Sequence, residues 1–217
     1  MNTPTERIIP ESVRVPVKVP DHTLLRVIGR GSYGEVWEAR NVMGTPCAVK
    51  TVRRDDFDSA RPFDREFEGI QRYEPVSRSH AGLVQVLHVG KDEGGGYFYY
   101  VMELADNGEA AGDVYVPKSL RGELRKRGAL PVAECIEIGI TLASALGHLH
   151  RAGLVHRDVK PANLLLEPTH DGIPDVRLAD FGIATPVDAP RLTQVHGVIG
   201  TPGYLSPEAV AGWDPDP

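Results

Sequence analysis

A cluster of polar side chains occupies the stretch His156-Arg157-Asp158-Val159-Lys160-Pro161-Ala162-Asn163, and three leucines, 164–166, follow at once. Downstream, Leu178-Ala179-Asp180-Phe181-Gly182 sets a second acid on a turn after an apolar run. Asn163 and Asp180 supply an amide and a carboxylate oxygen, hard donors of the kind Mg²⁺ takes together with phosphate oxygens. Near the start, Gly29-Arg30-Gly31-Ser32-Tyr33-Gly34-Glu35-Val36 has the pattern G-x-G-x-x-G-x-V, and Cys47-Ala48-Val49-Lys50 places an ammonium among apolar neighbours. A glycine loop can cover phosphates with backbone N–H groups because no side chain blocks the approach. A lysine fixed one strand later can reach phosphate oxygens, provided an acid holds it.

Each signal is weak by itself. The glycines also fit an ordinary hairpin turn, a lone strand lysine usually faces solvent, and Asp-Phe-Gly occurs by chance. A dinucleotide site is a rival reading, since Asp55 and Asp56 lie about 20 residues after Gly34, where a ribose-binding acid is sought. That rival requires a helix opening at the last glycine. Residues 35–40 instead alternate as a strand, with Val36 and Glu38 on one side and Trp37 and Ala39 on the other.

The elements that must position these groups are legible from periodicity. Residues 24–28, 35–40 and 47–52 read as three successive strands joined by turns, which suggests an antiparallel sheet. Residues 64–73 carry Phe67, Ile70 and Tyr73 at helical spacing. Glu66 sits beside that apolar face and is preferred to Glu68 as the acid for Lys50. Residues 83–89 and 97–104 read as further strands around the turn 92–96, and 106–117 as a Gly- and Asp-rich linker. Before the sheet, Pro16 and Pro20 remove ladder donors while Val13, Val15, Val17 and Val19 alternate, so residues 7–20 read as an extended arm or edge strand. After the linker the chain turns helical. From Val132 to about His150 the polar residues Glu134, Glu137, Thr141, Ser144 and His148 form one narrow stripe. So wide an apolar arc predicts burial on most sides, against partners in a second, helical lobe.

Composition sets outer limits. The chain has 217 residues, 41% hydrophobic and 25% charged, as expected of a globular protein with a sizeable core. A net charge of −6, from 24 Lys and Arg against 30 Asp and Glu, argues against a general nucleic-acid binder, because polyanions are repelled on average. The two cysteines, Cys47 and Cys135, lie in apolar stretches and read as small buried hydrophobes in a reducing, cytoplasmic setting. Residues 1–6 are polar and lack a signal-peptide core, and no membrane segment is expected from the apolar runs. The eight histidines form no metal set. His148 and His150 face apart on their helix, and His156 reads as a local brace for the loop around Asp158.

Taken together, the motifs resemble the eukaryotic-type protein kinase family, over about residues 24–212. Glycine loop, strand lysine, helix acid, H-R-D-x-K-x-x-N, D-F-G and Ser206-Pro207-Glu208 occur in that family's order. Lys160, two after Asp158, resembles the serine/threonine kinases, and "HRDVKPANLLL", "DFGIA" and "GTPGYLSPE" resemble those of bacteria. Small-molecule kinases of related fold lack the Ser-Pro-Glu anchor. The resemblance implies an α+β, two-lobed fold: an extended arm at 1–20, an N-lobe of antiparallel sheet plus one helix at 21–105, and part of a mainly helical C-lobe at 106–217.

It also implies ATP and Mg²⁺, with a protein Ser or Thr hydroxyl as acceptor. Met102 would be the gatekeeper, with Glu103 and Ala105 offering backbone groups to the adenine. Val36, Ala48 and Leu165 would sandwich the ring under Ile28. Gly29, Gly31, Ser32 and Gly34 would cover the phosphates, and Lys50, held by Glu66, would grip them. Asn163 and Asp180 would hold Mg²⁺, and Lys160 would steady the γ-phosphate. Asp158 would orient the hydroxyl and accept its proton late, because an ordinary Asp, with a pKa near 3.9, is a weak base towards an alcohol. Thr201 would bridge Asp158 and Lys160. Arg157 implies an activation loop that answers to phosphate, with Thr193 as candidate acceptor and a plain loop threonine as the alternative.

The family's large lobe continues past Ser-Pro-Glu with several more helices. The sequence reading therefore expects a kinase chain lacking the end of that lobe, in which the helix from Val132 to His150 loses its main cover and exposes an apolar patch. The alternative is a nucleotide-binding fragment that is weak or inactive in transfer.

Overall fold

The computed structural model describes residues 17–31, 34–108, 115–167, 169, 174–180, 185–186, 202–204 and 207. Ser32, Thr193, Thr201, Ser206 and Glu208 lie outside the described residues, as do residues 1–16 of the expected arm.

Five strands form one antiparallel sheet: β1 (His22–Gly31), β2 (Gly34–Asn41), β3 (Pro46–Arg53), β4 (Val86–Asp92) and β5 (Tyr97–Met102). Their spatial order is β1-β2-β3-β5-β4. β1 and β2 run right up to the glycine turn, where Gly31 pairs with Gly34. The last glycine is needed for its backbone. At Gly34 φ is +131°, and a Cβ there would stand 2.0 Å from the Thr51 carbonyl oxygen. We predict that Gly34→Ala lowers stability by about 1–3 kcal/mol, the scale of a strained non-glycine conformation. A urea midpoint equal to the parent's would refute this.

Strand alternation gives the sheet two different faces. Val52, Phe98 and Tyr100 point into the main core, whereas Cys47, Val49, Tyr97, Tyr99 and Val101 form a second cluster on the opposite face. Val19 of the N-terminal arm packs on that second face. It is held there by Tyr97, whose hydroxyl takes the Lys18 N–H and donates to the Lys18 carbonyl, each at 2.9 Å. Residues 17–20, the described part of the arm, belong to no strand.

Helix α1 (Ala60–Ser77) covers the core face. It is longer than its central apolar repeat suggests, because Phe63 adds a turn at the start and packs its ring 5.2 Å from Phe98. Ile70 and Tyr73 are buried and Phe67 packs 5.3 Å from Phe98.

The remaining part holds α2 (Leu120–Arg127), α3 (Val132–Arg151) and three small pairings from β6 (Leu154–Val155), β7 (Leu164–Glu167), β8 (Asp175–Leu178) and β9 (Thr185–Pro186). β6 pairs with β9 and β7 with β8; the third joins Leu83, before β4, to Leu178 in β8. One contiguous core runs through both parts, from Val52 and Phe63 to Leu149, Leu164 and Leu178.

Two expectations are corrected here. Helix α3 is not buried on most sides: Ile138, Ala145 and Leu149 are, while Val132, Ile136 and Ile140 are exposed. Its polar stripe is also not simply solvated. Ser144 and His148 face the loop after α1, where Ser79 Oγ lies 2.8 Å from His148 Nε2 and His80 Nε2 lies 3.0 Å from Ser144 Oγ. His80 Nδ1 accepts the Gly82 N–H, so its proton sits on Nε2, and burial beside His148 and Arg151 holds its pKa below the usual value. The helix thus docks with part of its polar side. By length and composition α3 could also cross a membrane, alone among the described helices, but its Ile138, Ala145 and Leu149 belong to the shared core. The second correction concerns Cys135. It lies on the outward side of α3 and is exposed, whereas Cys47 is buried in the sheet.

Candidate active site

Three segments meet at the site: β3 with Lys50, the loop 156–163 before β7, and the turn after β8 with Asp180. Lys50 Nζ donates to Asp180 Oδ1 at 2.7 Å. Asn163 accepts the Ala179 N–H on its backbone carbonyl at 2.8 Å, so the metal-type turn is stitched to the loop one residue before its acid. Asn163 Nδ2 donates to the Asp158 carbonyl at 2.8 Å and to Asp158 Oδ2 at 3.1 Å. Lys160 Nζ reaches the same carboxylate oxygen at 2.6 Å. Lys50, Asp158 and Asn163 are buried, at 5%, 8% and 5% exposure, which marks this polar cluster as built into the interior.

The loop owes its shape to His156. Its Nδ1 takes the Asp158 N–H at 3.3 Å, which leaves Nε2 to donate to the Ala179 carbonyl at 3.1 Å. Burial pushes the pKa of this imidazole down to about 4, so it is neutral at pH 7 and works as a two-sided spacer. Backbone strain marks both ends of the arrangement: Arg157 and Asp180 have φ of 63° and 65°, unusual for non-glycine residues.

The donor set fits Mg²⁺. The Asn163 amide nitrogen is committed to Asp158, which leaves its oxygen as the free acceptor, and Asp180 adds a carboxylate. Two protein oxygens with phosphate and water completing the shell is the usual arrangement for this ion. Among the described residues no group of three or more His, Cys, Asp or Glu side chains forms an alternative metal site.

On the far side of Lys50, the structure departs from the sequence reading. Glu66 of α1 lies inward and Glu68 faces solvent, but Lys50 takes Asp180 rather than Glu66 as its ion-pair partner. Burial therefore raises Glu66 to about 8, with Lys50 pulling it down and Asp180 pushing it up. Burial alone would depress Lys50; Tyr100, Asp180 and Glu66 more than offset that and keep it charged. A pH prediction follows. Glu66 holds a proton in the folded state that the unfolded chain loses near pH 4.5. Its stabilising contribution is complete below that pH and is lost as pH rises towards 8. Glu66→Gln should flatten the fall in melting temperature between pH 5 and 8. An unchanged slope would show that Glu66 is ionised throughout.

At the β5 exit, the Glu103 N–H is taken by the Gln85 carbonyl at 3.2 Å and the Ala105 carbonyl by the Tyr115 hydroxyl at 2.5 Å. Ala48 pairs with Met102, and Gly29 with Val36, so these members of the expected adenine cleft sit on adjoining strands. Ile28 and Leu165 are half-buried.

Sequence reasoning missed Arg177. It projects from β8 opposite Leu165, bonds Glu103 with one guanidinium nitrogen, and reaches Glu167 of β7 at 2.8 Å with the other. It thereby ties the segment after β5 to the β7–β8 pair. Alternation between buried Val176 and Leu178 signals that Arg177 points away from the core; only the fold brings Glu103 to meet it.

A model of the protein kinase domain matches residues 22–215. The chain belongs to the protein kinase family. Among curated relatives, the serine/threonine-protein kinase PknA of Mycobacterium tuberculosis is 38% identical over 205 residues, covering 90% of this chain and 43% of PknA. PrkC of Bacillus subtilis is 30% identical, over 88% of this chain and 27% of its own length. A probable serine/threonine-protein kinase of Streptomyces coelicolor is 37% identical, over 86% of this chain and 26% of the relative. The chain thus spans less than half the length of these relatives. In kinase terms, the five-stranded sheet with α1 is the small lobe and α2, α3 and the short hairpins belong to the large one.

Proposed function

We propose that this kinase chain transfers the γ-phosphoryl group of ATP to a Ser or Thr hydroxyl of a protein. The observation that carries the reading is the continuous chain of contacts from Lys50 through Asp180 and Asn163 to Asp158 and Lys160. In this reading it supplies an ammonium, two oxygen donors and an acid to one nucleotide, with Asp180 linked to Asn163 through the Ala179 N–H.

In this reading the Glu103 carbonyl and Ala105 N–H hold the adenine edge, and Ile28, Val36, Ala48 and Leu165 enclose the ring beside Met102. The turn built from Gly29, Gly31, Ser32 and Gly34 covers the phosphates, and Lys50 binds the α- and β-phosphates. Mg²⁺, held by Asp180 and Asn163, would neutralise phosphate charge. Asp158 orients the acceptor hydroxyl and takes its proton. Its carboxylate is already turned by Lys160 and Asn163, so no reorganisation is needed when the acceptor arrives. Lys160, which bonds Asp158 in the folded chain, would steady the γ-phosphate. Thr201 is assigned to the acceptor side on the family pattern. The phosphoryl group passes through a loose transition state, so alignment and charge neutralisation carry most of the rate.

A second reading is favoured by the Lys50–Asp180 pair. With Asp180 engaged by Lys50 and Glu66 left unpaired, the chain binds nucleotide but does not transfer until these partners exchange. Incubation with γ-labelled ATP, Mg²⁺ and a Ser/Thr-containing acceptor protein separates the two. Label on the acceptor supports transfer; ATP-induced thermal stabilisation with no label supports nucleotide binding alone; neither result is compatible with a protein on which ATP has no effect.

A further inference from the structure

Lys50 has a neighbour that the phosphoryl-transfer mechanism does not use. Tyr100 stands directly opposite it across β3 and β5. Side chains paired in this way share one face of an antiparallel sheet. That face is the main core, where Tyr100 is 3% exposed among Val52, Phe98 and Ile70. An aliphatic side chain would fill the space. A tyrosine instead brings a hydroxyl into a pocket that also holds the Lys50 ammonium, the Glu66 carboxyl and the Asp180 carboxylate. Lys50 Nζ lies 5.8 Å from the centre of the ring. A buried phenol hydroxyl seeks a polar partner.

The three partners of Lys50 differ in how they are attached. Asp180 follows β8 on a strained turn, and its carboxylate is the one a metal ion would claim. Glu66 rides on α1 and is not ion-paired with Lys50. Tyr100 alone is fixed to the same sheet as Lys50 by the β3–β5 ladder, which is in unbroken register from Ala48–Met102 to Arg53–Tyr97.

We propose that Tyr100 is a positioning residue for the ATP-binding lysine: its hydroxyl holds the Lys50 ammonium in place when Asp180 turns to the metal. This rests on the phosphoryl-transfer reading above. It adds a partner to Lys50 whose hold depends neither on the placement of α1 nor on the charge state of its acid.

The test is a double-substitution cycle on this chain, with MgATP binding measured by calorimetry for the parent, Tyr100→Phe, Lys50→Met and the pair. Tyr100→Phe keeps the ring and removes the hydroxyl. It should weaken MgATP about 3- to 10-fold, the net effect of one ordinary hydrogen bond. In the Lys50→Met background the same change should have no further effect, because the group it positions is gone. A purely structural role would weaken binding by the same factor in both backgrounds, and that result overturns the proposal. So does unchanged affinity in Tyr100→Phe. If the parent itself fails to bind ATP, the phosphoryl-transfer reading falls and takes this one with it; binding that ignores the hydroxyl removes only the role of Tyr100. Melting curves guard against misfolding. Should Tyr100→Phe unfold early, Tyr100→Leu, which also lacks the hydroxyl, takes its place in the same cycle.

Discussion

Asp158→Asn is expected to lower the rate of phosphoryl transfer about 10²- to 10⁴-fold, the usual worth of a positioned proton acceptor, while ATP affinity changes little. The replacement keeps the shape of the side chain and removes its charge. In the folded chain, Asp158 Oδ2 accepts from Lys160 at 2.6 Å and from Asn163 at 3.1 Å. An amide can present its oxygen to those donors, so the loop has no reason to collapse. What is lost is the capacity to draw the acceptor hydroxyl into line and to take its proton. Single-turnover transfer from γ-labelled ATP, with nucleotide affinity measured alongside, checks both halves of the expectation. A rate equal to the parent's would remove Asp158 from the mechanism. A parallel loss of ATP affinity would place its role in building the nucleotide site.

The second large effect is expected from Asp180→Asn, which should reduce Mg²⁺-dependent transfer about 10²- to 10³-fold, as for loss of one preorganised electrostatic group. Mg²⁺ should also cease to tighten ATP binding, because a neutral amide is a poorer ligand than a carboxylate. The substitution has a third, less direct consequence. Asp180 both pairs with Lys50 and raises the pKa of Glu66. Without its charge, Lys50 is left with Glu66 as the nearest acid, and the Glu66 carboxyl should move down from about 8. The pH dependence of melting should then shift to lower pH in Asp180→Asn relative to the parent. If transfer survives with its Mg²⁺ dependence intact, the metal is held elsewhere. If transfer is lost but the melting profile keeps its place, Glu66 does not answer to this pair.

Both expectations bear on the same structural choice. A buried ammonium needs a counter-charge, and here two acids stand within its field. The described contacts give it to Asp180. The sequence reading gave it to Glu66, from the helical spacing of Phe67, Ile70 and Tyr73 beside that residue. The spacing was informative about direction, since Glu66 lies inward and Glu68 outward. It carried nothing about which acid lies closer, because that depends on how the turn after β8 enters the site.

The same division runs through the molecule. Alternation located β2, and short apolar runs bounded by turns located β1, β3 and β5, with the β3 and β5 side chains buried on both faces of the sheet. The apolar repeat located α1 and α3, and His156 was legible as a local brace for the Asp158 backbone, whereas its second partner, the Ala179 carbonyl, lies 23 residues on. The exposure of Ile136 and Ile140 fits the uncovered helix that the family resemblance implied, whereas that of Cys135 was not legible from its apolar neighbours. Hydrophobic pattern reports which side chains favour burial, but not whether a docking surface is offered to them. In α3, hydrogen bonds from Ser144 and His148 turn part of the polar stripe towards the small-lobe loop.

The amino-acid order by itself determined which chemical groups this protein carries and the local elements that present them: a glycine turn between strands, a lysine on β3, and an acid–lysine–asparagine loop before β7. Those are short-range properties, set by backbone geometry and side-chain periodicity. Only the tertiary structure decided the partners: Asp180 for Lys50, Tyr100 beside it, and Arg177 between Glu103 and Glu167. Apart from Arg177 with Glu167 on the neighbouring strands β7 and β8, these pairs are far apart along the chain, and packing of the shared core, not local preference, fixes the distance between them.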